Sequence, residues 1–443
     1  MFSKKIISIL GLALCIGISG LNSAEAEKVD NKQQAKKFLQ FISTNKFAEA
    51  VQMGDSKMQA AMSPAQLEQL WQQLQGQLGK MQSLGEGECK PIMNMYEQAI
   101  IPGNFEKGKK DFLVTCDSNG KVAGFFIKDH ASPLAEPPYA NKNLFEEIPV
   151  KVGTGSIVLD GTLSLPKGAG PFPAVVLVHG SGAHDRDETV GASKPFRDIA
   201  FGLASNGIAV LRYEKRNYRH AKEMIAQLTT MTVKEETIDD AIEAVKVLRE
   251  QKKIDPNKIF VLGHSLGGYL IPRIAMADPK LAGVISMAGS TRPTEDLVIE
   301  QFAYLHSLKL ASQEQVDKGI ADAKTLKDPS FYSSDKTVLG APAFYWKDLQ
   351  GYDPAKLGAE LKMPILVIQG ESDFQVTMKG DFSRWKNSLA NHSNATLKSY
   401  PGLCHLFTKA GNPPSPLDYE KAQNVDAQVV DDIASWIKTS SRR

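Results

Sequence analysis

The sequence is short of most features that would narrow it at once. Net charge is nearly absent, since 52 Lys and Arg stand against 50 Asp and Glu, so no bulk polyanion partner is implied and nucleic acid is not expected. Long apolar runs are missing after the first two dozen residues, which excludes a polytopic membrane protein. A composition of 42% hydrophobic and 23% charged residues excludes wholesale disorder. Cysteine is scarce, with four in 443 residues. What is left is an ordinary globular chain, long enough for two domains.

The one apolar run is at the start. Lys4 and Lys5 precede Ile6 to Leu21, and the small-residue triplet Ala24-Glu25-Ala26 follows, the layout of a secretory signal peptide cleaved near Ala26. The run falls short of the ~20 residues that a spanning helix needs. The expectation is export, periplasmic or secreted, with no stable membrane insertion after removal. A lipoprotein site would want a small residue before Cys15, where Leu14 stands. Loss of residues 1–26 removes two lysines and one glutamate and takes the formal charge from +2 to +1. An oxidising compartment favours pairing Cys89 with Cys116 and leaves Cys404 over.

Residues 27–130 read as a small α+β domain. Asn31 to Met53 carries helical apolar spacing through Ala35, Phe38, Leu39, Ile42, Phe47 and Val51. Ser63-Pro64 then caps a second helix with the stripe Leu67, Leu70, Trp71, Leu74 and Leu78. Strand patterns follow at 92–101, 110–116 and 122–128, with a turn at Asp117-Ser-Asn-Gly120. The stretches Phe47-Ala-Glu-Ala50, Leu67-Glu-Gln-Leu-Trp71 and Gly120-Lys-Val-Ala-Gly-Phe-Phe126 resemble the nuclear-transport-factor-like (SnoaL-like) domains. That resemblance implies a cone-like fold. Trp71, Tyr96 and Phe112 are core by period, with a ligand pocket as the alternative.

The proline-rich Ala131 to Tyr139 breaks both periodicities and reads as a stiff linker, giving a linker over 131–146 and a second domain over 147–443. There a hairpin over 147–165 precedes apolar strands that alternate with helices. Repeated β-α units mean a largely parallel sheet covered on both faces, an α/β fold. An insertion over about 293–361, rich in aromatic residues, interrupts the alternation and reads as a helical cap. Phe331, Tyr332, Phe344, Tyr345, Trp346 and Tyr352 either line a substrate pocket or form the seam beneath that cap.

Three residues follow three different strands, where loops at the carboxyl ends of an open sheet converge. Ser265 sits in Gly263-His-Ser-Leu-Gly267, a nucleophile elbow; Asp373 follows an apolar strand in Gly-Glu-Ser-Asp; His405 ends Tyr-Pro-Gly-Leu-Cys-His. Serine needs a base to become a nucleophile, and the base needs an acid to fix its tautomer, so the three form a candidate Ser-His-Asp triad. The order Ser, Asp, His is that of α/β-hydrolases. The N–H of Leu266 and that of Ser181 or Gly182, in the turn His179-Gly-Ser-Gly182, are the candidate oxyanion donors. Glu371 and Asp381 are weaker choices for the acid, His264 reads as packing in the elbow, His392 as solvated, and Cys404 as a buried small side chain. The run His184-Asp-Arg-Asp-Glu188 is rich in ligand types, yet no second cluster pairs with it. No metal and no cofactor are therefore expected. Arg186, with Asp185 or Asp187, is expected to brace the loop against Arg212-Tyr-Glu-Lys-Arg216.

Together, His179-Gly-Ser-Gly-Ala-His-Asp-Arg-Asp-Glu188, Arg212 to Arg216, Gly263 to Gly268, Gly370 to Asp373 and Tyr400 to Phe407 resemble the bacterial carboxylesterase branch of the α/β-hydrolases. The resemblance implies a serine esterase acting on a small-molecule ester of a short acyl chain, with Ser265, Asp373 and His405 as its triad. A peptidase or amidase on the same fold, and an inert binding protein, are the competing readings.

Overall fold

The order of strands in the second half decides where loops can meet. The structure, a computed structural model, describes residues 30–92, 96–130, 134–226 and 230–441. The expected signal peptide, residues 1–26, lies outside them. The described chain divides into two units near residue 132.

In the larger unit eight strands form one sheet: β1 Phe145–Val152, β2 Leu159–Pro166, β3 Phe172–Val178, β4 Ala209–Tyr213, β5 Ile254–His264, β6 Gly283–Met287, β7 Ile365–Gly370 and β8 Ala395–Tyr400. Their order is β1-β2-β4-β3-β5-β6-β7-β8. Only β2 runs against its neighbours, pairing antiparallel with β1 and β4, while β3 to β8 are parallel. After β4 the chain crosses back over β3 to form β5. The carboxyl ends of β3 and β5 therefore flank a topological switch point, where open α/β sheets keep their sites. Alternate residues of the central strands feed two cores. Val176, Leu211, Val261 and Ile365 pack on one face, and Val175, Leu177, Val210, Phe260 and Leu262 on the other. Burial on both faces explains why these strands read as unbroken apolar runs.

Residues 134 to 144 are not a free span: Tyr139 packs on the second core and donates to the Val425 carbonyl, 2.8 Å, and Arg197 donates to the carbonyls of Leu134 and Ala135. The expected cap is present between β6 and β7. Its long helical stretch is two helices, Thr294–Ser307 and Gln313–Lys327, broken where Lys309 takes φ 60°. Two further helices, Ala343–Leu349 and Pro354–Glu360, follow. A 3₁₀ turn at Pro416–Glu420 precedes the helix Ala427–Ser440.

The smaller unit packs helices on an antiparallel sheet with Phe38, Ile42, Trp71, Ile101 and Phe112 in its core. The expected first helix is broken at Asn45, φ 59°, into Asn31–Ser43 and Phe47–Gln52. The second is capped by Ser63 as expected, and Gln66 adds the reciprocal bond of a capping box. Cys89 and Cys116 are not joined. Cys89 is in register with Ala99 and Cys116 with Glu97, on opposite sides of strand Tyr96–Phe105. Two inter-strand steps of about 4.8 Å exceed the reach of a disulfide, so the expected pairing is corrected. Burial pushes the Cys116 thiol up to about 12.

Candidate active site

Ser265 caps β5 with φ 52° and ψ −111°, and the helix Leu266–Ala277 starts at the next residue. Such a backbone costs a non-glycine residue about 1–3 kcal/mol; its surroundings hold it there. A Cβ at Gly263 would lie 2.2 Å from the Gly267 carbonyl oxygen, and one at Gly267 2.4 Å from that of Val178, so any side chain at either position would collide with main chain. The Ser265 N–H donates to the Met287 carbonyl, 2.9 Å, which ties the turn to β6. Pro272 cannot donate to the Gly268 carbonyl one turn back. Ser286 Oγ donates to it instead, 3.0 Å, so the helix carries a proline without an orphaned acceptor.

Asp373 is held as an acceptor on every side. Its Oδ1 accepts from the N–H groups of Gln375 and Val376, 2.7 and 3.0 Å, and its Oδ2 from Gln369 Nε2, 2.9 Å. The same Oδ2 lies 2.6 Å from His405 Nδ1. A carboxylate with only donors around it is ionised, so Nδ1 carries the ring proton and Nε2 is left with a lone pair. Ser265 and His405 line one cavity of about 140 Å³, together with Gly180, Ser181, Glu188 and His264. Asp373, 5% exposed, sits behind His405. The other acids are committed elsewhere. Glu371 accepts from Ser399 Oγ at the surface, and Asp381 is buried against Thr291 and Arg292.

The turn after β3 is held by buried charge. Gly180 donates its N–H to Glu188 Oε1, 2.7 Å, and Glu188 itself takes φ 51°. Glu188 Oε2 lies 3.0 Å from His264 Nδ1, an ion-pair contact without the angle of a straight hydrogen bond. On its other side His264 Nε2 faces the His405 carbonyl, 3.0 Å. Both ring nitrogens meet acceptors, so His264 is an imidazolium that ties the β3 turn to the His405 loop. Burial would raise the Glu188 carboxyl, but the facing His264 overrides it and holds the group down at about 2. Burial likewise works against the His264 charge, and Glu188 more than offsets it, leaving His264 above its usual value. His264 is thus more than elbow packing. Ser181 lines the cavity, whereas Gly182, φ 96°, is not among its lining residues. The Leu266 N–H opens a helix and has no intrahelical partner.

Arg186 braces this loop through Glu214, 2.8 Å, and Thr162, 2.9 Å. Neither Asp185 nor Asp187 is its partner, because Asp187 pairs with Arg212, and Asp185 closes an Asx turn on the Asp187 N–H and also accepts from the N–H and hydroxyl of Thr189. The cap aromatics form the seam: Phe331, Tyr345 and Trp346 belong to the core under the cap, with Tyr332 and Tyr352 packed against it. Phe344 is exposed. The cap reaches the cavity through Gln301 and Leu305 of its first helix. Cys404 is buried with its Sγ 3.2 Å from Thr408 Oγ1. His392 is half-buried on the Leu361 carbonyl, 2.8 Å, rather than solvated. Sequence reasoning missed Gln369 and Glu188 as supports, although a glutamine inside an otherwise apolar strand was a visible signal.

An eight-stranded sheet of this order, with a glycine-hemmed serine after its fifth strand, defines an α/β-hydrolase. Residues 169–409 match the family described as "Serine aminopeptidase, S33". The chain is also 40% identical over 406 residues to Esterase EstD of Thermotoga maritima, covering 91% of this chain and 95% of that one. It belongs to this family of hydrolases. Residues 35–125 match a family described only as a protein of unknown function, DUF3887. The quorum-quenching protein AidA of Acinetobacter baumannii is 27% identical over 177 residues, covering 39% of this chain and 54% of that one. Among solved structures, Est1E of Butyrivibrio proteoclasticus is 15% identical with a TM-score of 0.45, over 67% of this chain and 99% of that one.

Proposed function

We propose that this protein is a serine carboxylesterase that cleaves esters of short acyl chains through an acyl-enzyme. The contact of His405 Nδ1 with Asp373 Oδ2 beside a cavity shared with Ser265 carries the reading. In this reading His405 Nε2 takes the Ser265 proton as Oγ attacks the ester carbonyl. The oxyanion is met by the N–H of Leu266 and one from the Ser181-Gly182 turn. His405 then protonates the departing alcohol and activates the water that frees the acid. The small cavity beside Ser265, about 140 Å³, supports a short acyl chain.

The family description and the similarity to Esterase EstD point to different leaving groups. An aminopeptidase needs a carboxylate to hold a substrate ammonium. Glu188, the carboxylate among the lining residues of this cavity, is already engaged by Gly180 and His264, which favours the ester. Export follows as a proposal from the pattern of residues 1–26. Matched acetyl and butyryl esters and anilides separate the two activities: ester turnover in excess by ~10³ or more is expected, lost in Ser265→Ala. Preferential cleavage of aminoacyl anilides would replace this reading by the peptidase.

A further inference from the structure

A buried lysine lies beneath the β3 turn with no part in the chemistry described so far. Lys215 is 2% exposed, and its Nζ donates to the Gly180 carbonyl, 2.8 Å. The same ammonium pairs with Glu236, 2.9 Å. Glu236 accepts from Asn217 Nδ2, 3.1 Å, and from the hydroxyl of Tyr345 in the cap, 2.7 Å. Burying an ammonium is costly even when it is paired, and a carbonyl in a turn needs only a water or an amide to be satisfied.

The Gly180 carbonyl belongs to the same peptide as the Ser181 N–H. In a trans peptide these two groups point in opposite directions. With its oxygen drawn to Lys215, the peptide must turn the Ser181 N–H away from the lysine. Ser181 and Gly180 both line the cavity that holds Ser265, and a Cβ at Gly180 would lie 3.1 Å from the Ser265 Cβ. Among the described residues no protein acceptor takes the Ser181 N–H. The following peptide is turned differently, because the Ser181 carbonyl faces His184 Nε2, 2.7 Å.

We propose that Lys215 is a positioning residue: it fixes the Gly180–Ser181 peptide so that the Ser181 N–H is the second oxyanion donor, and Glu236 with Tyr345 connects that peptide to the cap. A cation on the carbonyl oxygen also draws electron density from the amide and makes its N–H a stronger donor. The stabilisation is present before the oxyanion forms, which is what makes such a donor effective. This assignment rests on the serine-esterase reading.

The test compares wild type, Ser265→Ala, Lys215→Met, Lys215→Met with Glu236→Gln, and Tyr345→Phe. Readouts are thermal unfolding, kcat and KM on p-nitrophenyl acetate, and the inhibition constant of a trifluoromethyl ketone, whose hemiketal oxygen mimics the oxyanion. Lys215→Met leaves Glu236 short of its cation and loses stability; the double variant removes both charges and keeps the fold. Both are expected to lose kcat and inhibitor affinity in parallel, by about 10²-fold, with KM within about threefold. Tyr345→Phe keeps both charges and is expected to lose about threefold in each. Wild-type kcat and inhibitor affinity in the folded double variant would overturn the Lys215 assignment alone. Undiminished hydrolysis by Ser265→Ala would overturn the esterase reading and this assignment with it.

Discussion

The two units of this chain bury different things. In the smaller one the core is aliphatic and aromatic, and among the described residues its buried polar side chains are Asn31 and Gln98, neither of them charged. The larger unit buries Glu188, Lys215, Glu236, His264, Asp373 and His405, all at the carboxyl end of its sheet or in contact with groups there. Apolar packing is sufficient to fold a unit of this kind, and buried charge is costly even when paired. The larger unit also buries charge elsewhere, as in Asp198, Asp278 and Asp381, but the cluster where the loops after β3, β5 and β8 converge marks a place where geometry matters more than stability.

The sharpest way to break this contrast is at Asp373. Asp373→Asn keeps the shape but offers His405 Nδ1 an amide, which favours the wrong tautomer. A fall in kcat of about 10³–10⁴ is expected, with the thermal transition moved by only a few degrees. Near-normal turnover would mean that the buried carboxylate serves the fold alone.

Glu188→Gln should have an intermediate effect. It leaves the His264 charge without its partner at a site 1% exposed, so a loss of about 3 kcal/mol in unfolding free energy and about tenfold in kcat is expected. The pH dependence follows from the two directions. Glu188 is lowered from 4.5 to about 2, so its contribution is present above about 4.5 and fades as pH falls toward 2. His264 is raised above 6.5, so its contribution is present below 6.5 and fades as pH rises through the raised value. The stability difference between wild type and Glu188→Gln should accordingly be largest between about pH 4.5 and 6.5. Denaturant midpoints across pH check this, and a difference that grows toward pH 9 would contradict the ion pair.

The smallest expected effect on turnover is in the other unit. Phe112 is fully buried beside Trp71 and Phe125. Phe112→Leu should cost about 1 kcal/mol of that unit's stability and leave kcat within twofold. A large loss of turnover would mean that the apolar unit takes part in the reaction.

The parts of this architecture that were legible in the sequence are those with a local cause. Strands buried on both faces read as apolar runs, Ser63 ahead of Pro64 read as a helix cap, and the elbow read from two glycines that leave no room for a side chain. Element ends were less legible. The helix over 31–53 breaks at Asn45 and the first two helices of the cap part at Lys309, both non-glycine residues in left-handed backbone, which apolar periodicity cannot register. The supports of the site were hidden for another reason. Lys215 and Glu188 look like surface residues in charged runs; Glu188 folds back within its own loop onto Gly180, and Lys215 reaches that turn because β4 lies beside β3. The cap aromatics were equally ambiguous, since seam and pocket ask for the same residues.

The central claim is that one serine carries the acyl group. The most direct measurement is peptide mapping by mass spectrometry after brief treatment of folded protein with a fluorophosphonate. A single adduct on Ser265, absent when His405 is replaced by alanine, is the predicted result. An active protein that takes the label on another residue, or on none, would contradict it.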